Sequence, residues 1–105
     1  MAKKWQPREF IIALQKRINI TNVNTPSIAD NQKAVEFKYK GSMFTLVLIR
    51  VSYDNYYGYY ELFAGNYKSN LQGGYFHSIA AHKQLTMDNV LKSIRSYSNY
   101  AHGIR

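Results

Sequence analysis

The chain has 105 residues, no cysteine, ten tyrosines and a formal net charge of +8. That length supports one domain with a real hydrophobic core. The missing thiol excludes disulfides, thiolate nucleophiles and cysteine-based zinc sites, and it suits a reducing compartment, so a cytoplasmic location is expected. The longest near-continuous apolar run, Met43 to Ile49, falls far short of the roughly 20 residues a membrane helix needs, and no signal-type apolar segment follows the basic start. Neither a membrane partner nor secretion is expected.

Pro7 suits a first helical turn, and Phe10, Ile11, Leu14 and Ile18 recur on one helical face, which predicts a helix from Arg8 to about Ile18. Its outer side is polar and mainly basic. Ile12 falls outside the apolar stripe, and the expected explanation is burial beneath a loop. Thr21 to Gln32, rich in Asn, Thr, Pro, Ser and Asp, is expected to be loop. From Ala34 the chain alternates, with Val35, Phe37 and Tyr39 on one side and Glu36, Lys38 and Lys40 on the other, which predicts a half-buried strand. Gly41-Ser42 reads as a tight turn, and Met43 to Val51, apolar on both faces, as a central strand covered on both sides. Asp54-Asn55 offers another turn before an aromatic strand from Tyr56 to Phe63, ended by Gly65-Asn66. Asn70 to Gly74 reads as turn, and Tyr75 to Ile79 fits strand and helix equally.

The last element is the best specified. Thr86 can cap a helix, Leu85 and Val90 are spaced for a hydrophobic staple, and Asp88 complements the positive helix end. The helix is predicted from Met87 to about Tyr100, with Met87, Val90, Leu91, Ile94, Tyr97 and Ala101 as its apolar stripe and Gly103 as a stop signal. The expected fold is a single α+β domain spanning residues 1–105. It has an N-terminal helix, a three- or four-stranded antiparallel sheet and a C-terminal helix packed on that sheet.

Charge and aromatic content occupy different segments. Residues 1–20 carry five Lys/Arg against one acid, residues 64–105 also five against one, and residues 21–63 balance at four against four. Seven of the ten tyrosines fall between Tyr53 and Tyr75. Cations attract phosphates and aromatic faces stack on bases, so the candidate binding residues are Lys38, Lys40, Arg50, Lys92 and Arg95 with an exposed tyrosine among 53, 56, 57, 59 and 60. Tyr53, Tyr56 and Tyr57, beside the turn, are the ones expected to be exposed. The competing explanation is that these rings pack the sheet and the lysines keep it soluble.

Residues suited to catalysis are sparse. His77, His82 and His102 lie in no catalytic motif, and the five-residue spacing of the first two is wrong for a helical metal pair, so no metal or cofactor is expected. The tail from Tyr100 to Arg105 brings together residue types a small ribonuclease could use, but the expected reading is a frayed, polar chain end. Glu61 shares a strand face with Tyr59 and Phe63 and is expected to face solvent. Gly73-Gly74 lacks the Lys-Ser/Thr of a phosphate-binding loop, so nucleotide hydrolysis is not expected.

The run Phe10-Ile11-Ile12-Ala13-Leu14-Gln15-Lys16-Arg17-Ile18 resembles the opening helix of ribosome-inactivating proteins, the rRNA N-glycosidases. Thr45-Leu46-Val47-Leu48, Asn55-Tyr56-Tyr57-Gly58-Tyr59, Ala64-Gly65-Asn66 and Tyr75-Phe76-His77 follow in the order in which similar segments occur there. The resemblance implies a base-stacking role for Tyr56 and covers only that family's N-terminal part. Nothing in the chain reads Glu-x-x-Arg, the family's catalytic helix, so the resemblance implies no glycosidic cleavage by this chain alone. The function expected is a small basic module binding RNA or DNA and noncatalytic by itself. An interaction or inhibitor module for an acidic protein is the alternative, and a small ribonuclease or glycosidase fragment a second one.

Overall fold

A computed structural model describes residues 4–25, 32–51, 56–65 and 76–101, with side chains described for all of these except 76, 77 and 99–101. The order is α1 (Pro7–Arg17), β1 (Thr21–Asn24), β2 (Gln32–Tyr39), β3 (Ser42–Arg50), β4 (Tyr57–Gly65), β5 (Phe76–Gln84) and α2 (Met87–Ala101). The strands form one antiparallel meander in the order β1-β2-β3-β4-β5, and both helices contribute to a single core against one face of it. The α+β class and the C-terminal helix on the sheet are as expected. The sheet has five strands, not three or four.

β1 is wholly unexpected, whereas β5 falls partly on the segment Tyr75 to Ile79 that fits strand and helix equally. β1 lies within the segment expected to be loop; all its residues are exposed, its register against β2 is irregular, and Asn22 has φ 54°, so no two-residue apolar period marks it. β5 is long, but two register shifts against β4 and a positive φ at His82 break its alternation.

Helix formation follows local chemistry. Pro7 starts α1, the Glu9 carboxylate accepts from the Gln6 backbone N–H at 3.2 Å, and Lys16 and Arg17 complement the dipole in the last turn. Thr86 caps α2 as expected, its Oγ1 accepting from the Asn89 N–H at 3.1 Å, while Leu85 and Val90 are both buried beside it. Phe10 and Leu14 from α1 and Val90, Leu91 and Ile94 from α2 meet Val35, Phe37, Phe44, Leu46, Leu48, Tyr60 and Leu62 of the sheet. Burial of each such leucine or phenylalanine contributes about 1.5–3 kcal/mol.

The second face of the sheet is also largely covered at its centre. Ala34, Thr45 and Val47 are buried there, as expected for β3, but Glu36 is buried as well, contrary to a half-buried β2; its carboxylate accepts from Asn24 Nδ2 at 3.1 Å. The β2–β3 turn comprises Lys40 (φ 50°) and Gly41 (φ 81°), one residue earlier than the expected Gly41-Ser42, with Tyr39 paired to Ser42. Two consecutive positive φ values fit the primed hairpin turn whose twist matches the strands. Ile12 is 44% exposed rather than buried under a loop. The turn read at Asn70 to Gly74, the stop at Gly103 and the tail histidine His102 lie outside the described residues.

Candidate functional site

The expected binding residues fall into three places. Lys38 is exposed on the face away from the helices, paired with Met43 beside the β2–β3 turn, and Lys40 sits in the turn with its ammonium 5.6 Å from the Tyr39 ring centre. Arg50 is exposed at the opposite end of β3, roughly 30 Å from the turn at about 3.4 Å per strand residue. Tyr56 lies at that same end, half-buried. The Lys4 ammonium stands 5.3 Å from its ring centre, and a side chain added at Gly58 would meet that ring at 3.4 Å, so the ring is already engaged by its own chain.

Tyr57, expected to be exposed, is buried. Its N–H donates to the Trp5 carbonyl at 2.9 Å in an isolated antiparallel bridge, and its ring joins the core with Trp5, which packs edge-to-face on Phe10. Tyr53 lies outside the described residues. The more exposed described tyrosine is Tyr59, 38% accessible on the face away from the helices and stacked on His82 at 4.7 Å with an interplanar angle of 13°.

Lys92 and Arg95, by contrast, are brought together, and two further cations join them. The exposed face of α2 carries Asp88, Lys92, Arg95 and Ser96 at helical spacing. On one side a hollow of about 490 Å³ lies between α2 and the end of α1, lined by Arg17, Asp88, Leu91, Lys92, Arg95 and Ser96. On the other a hollow of about 320 Å³ lies between α2 and β5, where Lys83, Asn89, Lys92 and Ser93 meet Tyr60. Lys92 and Ser96 border both hollows and form the crest between them. Arg17, Lys83, Lys92 and Arg95 thus come from three elements to one surface, with Asp88 the single acid among the lining residues. None of these cations forms an ion pair among the described residues.

That surface is held in position from below. The Tyr60 hydroxyl, on β4, donates to the Asn89 carbonyl at 3.0 Å, leaving its oxygen to accept from Ser93 Oγ at 2.8 Å. Burial pushes the Tyr60 phenol above its ordinary value near 10, and the Ser93 hydrogen bond offsets part of that rise. Asn89 Nδ2 donates in turn to the Gln84 carbonyl at 3.0 Å, tying the first turn of α2 to the end of β5. The arrangement can bind anions through four cations and several hydroxyl and amide groups; it contains no nucleophile paired with a base. Among the described residues no three of His, Asp and Glu come together as metal ligands, and no helix is long and apolar enough to cross a membrane.

The chain matches no family model, no curated protein and no solved structure.

Proposed function

We propose that the protein is a noncatalytic nucleic-acid-binding module of the cytoplasm whose phosphate-contacting surface is the outer face of α2. The observation that carries this reading is the gathering of Arg17, Lys83, Lys92 and Arg95 around two adjacent hollows with one intervening acid. Lysine and arginine on a convex helix flanked by polar grooves suit a phosphate backbone, which presents evenly spaced negative charge and accepts hydrogen bonds from serine and asparagine as well. Lys38, Lys40 and Arg50 line neither hollow and serve at most as auxiliary charge, Lys40 from the turn whose neighbours Ser42 and Met43 meet Tyr97 of α2. The resemblance to rRNA N-glycosidases, which act on RNA, points to the same class of partner.

The test is direct binding of the protein to generic RNA and DNA by fluorescence anisotropy over a range of salt concentrations. Four phosphate contacts predict a slope of log K against log salt of about −3.6 on duplex DNA and about −2.8 on single strands. No binding even at low ionic strength overturns the reading. A pull-down from extract that survives nuclease treatment, together with no affinity for purified nucleic acid, assigns the surface to an acidic protein instead.

A further inference from the structure

We infer that Tyr59 and His82 form a base-stacking platform, and that the protein therefore takes single-stranded nucleic acid, running round the β5 edge of the sheet; this rests on the nucleic-acid reading above. The two rings are exposed, nearly parallel and 4.7 Å apart between centres, on the sheet face opposite the helices. His82 reaches that position only because the β4–β5 register shifts between Tyr60 and Leu62 and its own backbone adopts φ 48°. A bulge of this kind re-aims a side chain, and a non-glycine residue held in the left-handed region is strained. The strain at His82 sustains a surface ring pair that adds nothing to the core cluster.

The neighbouring charges direct the strand. Glu61, two residues along β4 from Tyr59 and on the same face, repels phosphate from the middle of that face. Lys83, next to His82 on the edge strand, pairs with Tyr60 and lines the hollow on the helix side with Lys92. A chain whose base lies on the Tyr59–His82 pair thus finds its adjacent phosphates at Lys83 and Lys92 by passing over the edge of the sheet. Only an unpaired base offers its face to such a platform, because in a duplex the faces are occupied by neighbouring bases.

The experiment compares a fluorescent single-stranded oligonucleotide, as RNA and as DNA, with the matching duplexes, on wild-type protein and on Tyr59→Ala, His82→Gly and Lys83→Glu. Single strands are expected to bind more tightly than duplexes, and Tyr59→Ala and His82→Gly each to weaken single-strand binding about five- to a hundredfold while leaving duplex binding unchanged. Glycine suits φ 48°, so His82→Gly removes the ring without loss of folding, which a thermal melt verifies. Loss of single-strand affinity in this variant, with an undiminished melting temperature, supports the platform. Equal affinity for single strand and duplex, or ring variants that bind like wild type while Lys83→Glu weakens binding, overturns the platform and leaves the phosphate-binding surface standing. Absence of binding to every oligonucleotide overturns both.

Discussion

Replacing Tyr60 by phenylalanine removes one oxygen and isolates what holds α2 on the sheet. The hydroxyl donates to the Asn89 carbonyl and accepts from Ser93, both within the first two turns of α2. Net worth per hydrogen bond is about 1 kcal/mol, so the variant is expected to lose about 1–2 kcal/mol at neutral pH, lowering the melting midpoint by roughly 5–10 °C for a domain of this size. The pH dependence supplies an independent check. The folded-state phenol titrates above the unfolded value near 10, so its contribution is fully present below that value and is lost as pH rises through it, because the unfolded chain releases the proton first. Urea unfolding of both proteins between pH 8 and 11 should show the wild-type advantage shrinking above about pH 10, at up to about 1.4 kcal/mol per pH unit. A stability gap that is absent at neutral pH, or that stays constant or widens under alkali, refutes the assignment of Tyr60 as a buried, hydrogen-bonded tether.

Three further substitutions test particular elements. Gly58→Ala brings a Cβ within 2.6 Å of Val51 Cγ2, a stiff β-branched side chain, and is expected to cost about 1–3 kcal/mol in urea unfolding. Ser98 is buried with its hydroxyl unpartnered, so Ser98→Ala should raise stability by about 1–2 kcal/mol, through loss of an unsatisfied group and gain of helix propensity. Lys40→Asn places a residue that tolerates φ 50° at the β2–β3 turn. It should raise stability by up to about 1 kcal/mol in the same assay.

The parts of the fold visible in the sequence are those where one local rule dominates. The helices announce themselves through apolar spacing and through Pro7 and Thr86, and β2 and β3 through alternation and a continuous apolar run. β1 and β5 depend on pairing with a neighbour already in place: β1 buries nothing, and the positive φ at His82 lies within a bulge that has no sequence marker. The same division runs through the candidate surface. Lys92 and Arg95 were readable as the polar side of an amphipathic helix, whereas Arg17 reaches them only because α1 lies beside α2 in the folded protein. Lys83 carried a usable signal, since a residue two positions before Leu85 and three before the Thr86 cap must lie near the start of the helix. Tyr57 misled because its exposure depended on Trp5, fifty-two positions earlier, closing over it.

Charge reversal compared between surfaces bears most directly on the central claim that the outer face of α2 contacts phosphate. The measurement is the salt dependence of RNA affinity for wild-type protein, for Lys92→Glu/Arg95→Glu and for the control pair Lys38→Glu/Arg50→Glu, which lines neither hollow. Loss of two phosphate contacts predicts a slope shallower by about 1.4–1.8 and a large fall in affinity for the α2 pair, with the control pair close to wild type. Equal effects of the two pairs, or a control pair that binds more weakly than the α2 pair, would contradict it.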